Sequence, residues 1–152
     1  MRRVWIGLLV VVFVPAMASA QKRGLLPLNQ WSMQFTDRLA YHDYEGIALD
    51  HDERPRLVKD LGEKNLMILR NHGTLAMGRT CADAFLRLYY LERSCTIQVR
   101  ALTGGSKINP THQGAAEKTA EVGAKAMEGP MGNLAWPALL RLLDRKDPSY
   151  RN

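Results

Sequence analysis

Leu69-Arg70-Asn71-His72-Gly73 lies between two apolar runs, and a capped amphipathic helix follows seven residues later at Thr80. An imidazole at the tip of a tight turn is held by rigid strands and faces outward, while the adjacent glycine lets the chain fold sharply, and a metal-ligating histidine is presented in this way. One histidine is not a site, because a catalytic zinc takes three protein ligands and keeps a fourth position open. The chain has four histidines: His42, His51, His72 and His112. His42 stands with Tyr41 and Tyr44 in a strand, where a packed or hydrogen-bonded imidazole is expected. His51 sits in Asp50-His51-Asp52-Glu53, where acids at a helix start are accounted for by capping and dipole chemistry. His112 lies at a polar loop-to-helix junction, open to solvent. Glu45 and Glu92 are expected to do no more than pair at the surface or pack.

Other chemistries are excluded by missing motifs. There is no G-x-G-x-x-G, and Gly104-Gly105-Ser106-Lys107 lacks the spacing of a phosphate-binding loop. Neither G-x-S-x-G, H-E-x-x-H nor C-x-x-C occurs. The net charge is +6, of which Arg2 and Arg3 supply two, and from Gln21 onward Lys and Arg alternate with Asp and Glu. Without a single-sign stripe to collect phosphates, no nucleic-acid partner is expected.

The elements that position the turn follow from periodicity. A short helix is expected over Leu28 to Phe35, beginning near Pro27 and Asn29, then a strand over Leu39 to Tyr44 ending in a turn at Glu45-Gly46, and a second short strand at Ile47 to Leu49. Asp52-Glu53-Arg54-Pro55 opens a helix that ends at Leu61, with Gly62 as its stop. Asn65 to Arg70 contains a continuous apolar run that suits a strand covered on both faces, and Thr74 to Met77 is its partner across Asn71-His72-Gly73, with glycine as the left-handed residue. Thr80 caps a long helix to about Leu102, with Ala84, Leu88, Leu91, Cys95 and Leu102 near one face, Phe85, Tyr89 and Val99 beside it, and Glu92 between. Beyond the loop at Gly104-Gly105, a polar helix over Thr111 to Met127 and a last one from about Leu134 to Asp144 are expected, with Tyr150 free to cover a neighbour's surface. Cys81 and Cys95 fall on one helix about 21 Å apart, too far for a disulfide, so both are expected as free thiols of a reducing compartment.

The first twenty residues differ from the rest. Met1-Arg2-Arg3, an uncharged run from Val4 to Val14 and the small residues Ala16 to Ala20 have the layout of a secretory signal, and the run is shorter than a transmembrane span. No stable membrane span is expected.

From about Ser19 to Tyr150 the sequence resembles the C-terminal half of the class II aldolase and adducin family domain. The resemblance rests on Leu25-Leu26-Pro27, Tyr41-His42-Asp43-Tyr44-Glu45-Gly46, Leu69-Arg70-Asn71-His72-Gly73, Gly78-Arg79-Thr80 with Ala82 and Ala84, Leu91-Glu92, Trp136-Pro137-Ala138-Leu139-Leu140 and Asp147-Pro148-Ser149-Tyr150. It implies an α/β fold, a three-layer α/β/α domain with a largely antiparallel central sheet, and a homo-oligomer. It also implies zinc as cofactor, with His72 matching the third zinc ligand, and cleavage or epimerisation of phosphorylated sugars through a metal-stabilised enediolate. The family's enzymes carry their first two ligands as a His-x-His pair shortly before the residues matching Ala20 to Gly24, with the catalytic acid and phosphate loops further upstream. Here Val11-Val12-Phe13-Val14-Pro15 stands in that place, and no His-x-His occurs anywhere.

Residues 1–20 are accordingly expected to be a signal-like segment outside the domain, and residues 21–152 a partial domain. The segment is either an export signal fused to half a domain or a truncated or mis-started reading. The second is favoured, because Ala18-Ser19-Ala20 already resembles the family segment before Gln21. The expectation is an aldolase-like lyase or epimerase of the cytoplasm, inactive as an isolated chain and taking a sugar-phosphate substrate if completed. The alternatives are a non-catalytic, adducin-like interaction module or an exported small protein.

Overall fold

A run of four apolar residues has no polar side to turn toward water, so it needs cover on both faces. In the computed structural model, which describes residues 10–12, 21–47, 52–105, 107–128 and 131–151, that run is strand β3, Leu66–Leu69, and all four residues are buried. It lies within a sheet ordered β1-β4-β3-β2, with β1 at Val10–Val12, β2 at Ala40–His42 and β4 at Gly73–Ala76. β3 and β4 form an antiparallel hairpin with Leu66 opposite Ala76 and Leu69 opposite Gly73. The backbone of Val10–Val12 pairs antiparallel with β4. β2 runs parallel to β3, with His42 opposite Leu69. Parallel neighbours need a crossover, and helix α2, Glu53–Leu61, supplies it.

Alternation along the strands divides the core in two. Leu66, Ile68 and Ala76 join Phe35, Leu39, Leu88, Leu91 and Cys95 on one face of the sheet. Ala40, Met67, Leu69 and Leu75 form the other, against Leu57 and Leu61 of α2. The sheet is therefore the middle layer of an α/β/α arrangement, and two of its three pairings are antiparallel. The expected fold class is the one observed.

Helix α3, Cys81–Thr103, covers the first face. The Thr80 hydroxyl accepts a hydrogen bond from the Asp83 N–H (3.1 Å) and starts it. Gly78 precedes it where a Cβ would lie 2.5 Å from the Ala84 nitrogen, so only glycine lets the strand exit pass this close to the helix. Leu91 is fully buried, whereas Phe85, Tyr89 and Leu102 are exposed, which makes the apolar face narrower than the periodicity suggests. The inner face also buries two polar residues, Ser94 and Gln98. Buried Gln98 accepts from the Leu26 N–H (2.6 Å) and donates to the Gly24 carbonyl (2.8 Å), which fastens the segment before α1 (Gln30–Met33) to α3. Asn29 caps α1 with a full capping box. Cys81 and Cys95 are free thiols, and burial together with the Glu92 charge pushes the Cys95 thiol up to about 12.

Several elements depart from expectation. Ile47 is exposed in a bend instead of starting a strand, and Ala48 and Leu49 lie outside the described residues. Helix α4 is Ala115–Glu128, starting later than Thr111 because the Thr111 hydroxyl donates to the Pro27 carbonyl (2.6 Å). Helix α5 is Met131–Lys146, starting before Leu134, and it carries Pro137 in its second turn, where the ring removes one backbone bond without ending the helix. The Tyr150 hydroxyl donates to Asp144 of the same chain (2.6 Å), so the ring folds back on α5. Trp136 meets Phe85 of α3 edge-on, with centroids 5.6 Å apart.

Glu92 ties α3 to β4 by accepting a hydrogen bond from the Thr74 hydroxyl. Burial raises its pKa, and the Thr74 bond opposes the shift only in part. A carboxyl with a folded pKa above its unfolded value binds its proton more tightly when folded, so stability falls as pH rises from the ordinary 4.5 through the raised value. Glu92→Gln keeps an acceptor for Thr74 and removes the charge. Urea midpoints measured from about pH 4 to pH 8 should therefore fall less steeply with pH in the variant than in the wild type.

Candidate functional site

The turn between β3 and β4 is closed by the His72 N–H donating to the Leu69 carbonyl (3.1 Å). Its left-handed residue is Asn71, at φ +56°, and Gly73 is already the first residue of β4. That corrects the expectation that the glycine would take this conformation. Asparagine tolerates it better than other residues with a Cβ because its short polar side chain bonds locally.

Arg70 holds the base of the turn. Its backbone N–H donates to the His42 carbonyl (2.8 Å), continuing the β2–β3 pairing past the strand. Its guanidinium meets Asp43 (3.1 Å), donates to the carbonyls of Gln21 and Lys22 (3.3 Å each) and lies 4.9 Å from the centre of the Tyr41 ring. The Tyr41 hydroxyl in turn accepts from the Leu25 N–H (3.0 Å). Gly24, at φ +68°, passes so close that a Cβ there would sit 2.5 Å from that hydroxyl. Leu25, Tyr41 and Arg70, far apart in the chain, thus form one clamp that sets where His72 stands. His72 itself is half-buried, its ring 6.4 Å from that of Tyr44.

His42, Tyr44, Glu53, Arg70 and His72 share the wall of one cavity of about 180 Å³. His42 is only 4% exposed. Its Nδ1 lies 2.7 Å from Asp60 Oδ2, and since a carboxylate can only accept, Nδ1 carries the hydrogen. Its Nε2 is buried without a hydrogen bond, 3.4 Å from Glu53 Oε1. Burial works against the charged imidazole, but the hydrogen bond to Asp60, the nearby Glu53 carboxylate and the charges of Asp60 and Glu45 outweigh it and raise the pKa. The Arg56 Nε donates to both Glu45 oxygens (2.9 Å each), and this bonding holds the Glu45 carboxyl below its usual range.

One ring nitrogen of His42 and one carboxylate oxygen each of Glu45 and Glu53 lie within 4.8 Å of one another. Among the described residues this is the one trio of ligating side chains so gathered, and it does not include His72. The described residues therefore do not fit a three-ligand zinc site at His72. His51 lies outside the described residues, and His112 is exposed, with its Nδ1 3.0 Å from the Gln113 carbonyl. The expected structural role of His42 is met by its bond to Asp60. Its gathering with Glu45 and Glu53 went unforeseen. The available signal was the spacing Glu53, Leu57, Asp60, which puts two acids and a leucine on one side of α2 facing β2.

The sequence profile of the Class II Aldolase and Adducin N-terminal domain matches residues 12–99. The chain is 49% identical over 133 residues to a Caulobacter vibrioides protein named for aldolase class 2, covering 87% of this chain and 51% of that protein. It is 37% identical to mouse alpha-adducin, covering 90% of this chain and 20% of the adducin. The crystal structure of an aldolase II superfamily protein from Pseudomonas syringae superposes with a TM-score of 0.88 at 41% identity, over 95% of this chain and 59% of that one. An L-fuculose 1-phosphate aldolase from Glaciozyma antarctica shares the fold, with a TM-score of 0.69 at 22% identity over 87% of this chain and 49% of that one. The chain thus spans about half the length of the first two curated relatives it matches.

If Asn71 supplies the left-handed residue, Asn71→Gly should leave the urea midpoint nearly unchanged. Asn71→Val, β-branched at positive φ, should cost about 1–2 kcal/mol. Equal losses in both variants would mean that the asparagine side chain, rather than its backbone, holds the turn.

Proposed function

Because this chain belongs to the class II aldolase and adducin family, we propose that it is an aldolase-type segment in which His72 offers one imidazole toward a divalent metal, and that its own residues do not complete a catalytic centre. The observation that carries this reading is the setting of His72. The turn is clamped by Arg70 and lines a cavity, yet no second and third ligand gather round it among the described residues. Bound zinc would act as a Lewis acid on a sugar phosphate's carbonyl and hydroxyl oxygens. Within this chain, Arg70 and Asn71 fix the turn and the cavity wall holds the imidazole half-buried. The sequence has no His-x-His to supply the other two imidazoles, so aldol cleavage or epimerisation needs ligands from outside these residues.

A second reading, a non-catalytic interaction module, is favoured by the alpha-adducin match across 90% of this chain. Under either reading the chain assembles as a homo-oligomer, and Leu134, Leu139, Leu142 and Leu143, exposed along α5, offer apolar surface for it. A cytoplasmic location accords with two free thiols. No described helix is long and apolar enough to cross a membrane.

The test is retro-aldol and epimerase assay of the purified chain on a panel of ketose 1-phosphates with added Zn²⁺. No turnover above the protein-free rate is expected. Turnover that disappears both with a chelator and in His72→Ala would overturn the reading and make the chain an enzyme by itself.

A further inference from the structure

The buried face of β2 and the first turn of α2 carry a group of side chains that the His72 turn does not use. We propose that His42, Glu45 and Glu53 form a second divalent-cation site, of the kind that takes Zn²⁺, with Asp60 as the residue that orients His42.

The carboxylates alone would mean little, since acidic groups on a surface commonly bind nothing. What distinguishes this group is the histidine. Its side chain is 4% exposed, and Nε2 has no hydrogen bond. A buried ring nitrogen without a hydrogen bond is costly unless something else satisfies it. Asp60 takes the Nδ1 hydrogen at 2.7 Å, which in the neutral ring leaves the lone pair on Nε2. A carboxylate on one nitrogen and a metal on the other is the usual outer arrangement of a ligating histidine. An imidazolium between Asp60 and Glu53 would explain the contacts with both, but would still leave the second hydrogen poorly directed at 3.4 Å.

The distances agree with a shared ion. Two ligands about 2.0–2.1 Å from a tetrahedral zinc lie about 3.3 Å apart, and Nε2 stands 3.4 Å from Glu53 Oε1. Glu45 approaches from the loop after β2, and its Oε1, which accepts only one bond from Arg56 while Oε2 accepts two, retains an acceptor site. The charges also agree. Three carboxylates, Glu45, Glu53 and Asp60, against one guanidinium, Arg56, leave two negative charges for a divalent ion. One imidazole with carboxylate oxygens suits zinc and its neighbours in the first transition row better than Mg²⁺ or Ca²⁺, which take oxygen alone. The adjoining cavity gives access and leaves room for water as a remaining ligand.

The test is titration of the metal-free full chain with ZnCl₂ by calorimetry, with X-ray absorption on the loaded protein. One Zn²⁺ per chain is expected, bound by a single imidazole and oxygen ligands without sulfur. Glu45→Gln and Glu53→Gln should each weaken binding at least tenfold, and Asp60→Asn by roughly ten- to a hundredfold. His72→Ala should leave it unchanged, which separates this site from any metal bound through the turn. Because His42 is buried and its replacement can unfold the chain, Glu53→Gln, at the rim, is the deciding variant. The proposal is overturned if no Zn²⁺ binds at about 100 μM, if Glu53→Gln binds as tightly as the wild type, or if binding is lost in His72→Ala.

Discussion

The structure depends on keeping water from both faces of Leu66–Leu69. A strand with four buried residues cannot stand at the surface of a two-layer fold, so helices must pack on each side of the sheet. α3 supplies one cover through Leu88, Leu91 and Cys95, and α2 supplies the other through Leu57 and Leu61. The crossover that makes β2 parallel to β3 is the same α2, so the element that completes the core also brings its acids to the end of β2.

Polar groups then set positions that hydrophobic burial leaves open. Apolar contact is non-directional, and a helix covering a sheet can slide until hydrogen bonds fix it. Gln98 does this for the segment at Gly24 to Leu26, and the Thr74–Glu92 bond does it between β4 and α3. Arg70 combines the two kinds of contact, laying its guanidinium over Tyr41 while bonding to Asp43 and two carbonyls. The turn that presents His72 is accordingly as well placed as the sheet beneath it. His42 is placed by the same pairing, since its carbonyl accepts from Arg70 and its ring reaches α2.

Two imidazoles on one cavity thus have different surroundings. His72 belongs to a motif that can be recognised in the sequence because every part of it lies within five consecutive residues. His42 looks there like a packed strand residue, and in isolation that description holds. Its partners come from three places: a loop three residues on, the first turn of α2, and the same helix two turns later. Glu53 resembled a helix-start acid and Glu45 a surface partner, and each does have that role, in the first turn of α2 and against Arg56. Each residue's own role is local, and only the folding of α2 against β2 makes them meet.

From the sequence alone came the family, the α/β class, the hairpin around His72, the limits of α2, the Thr80 cap and the two free thiols. The family and the α/β class rest on resemblance to known family motifs, and the others depend on periodicity, turn chemistry or spacing along a single element. Tertiary structure decided that Asn71 takes the left-handed conformation, that α3 buries Gln98 while leaving Leu102 out, that Tyr150 folds onto its own chain, and that Glu45, Glu53 and Asp60 face His42. The physical reason is register. Which residues meet across β2, β3 and α2 is settled by long-range strand pairing and by the burial of two opposite faces at once, and neither is written in any one stretch of chain.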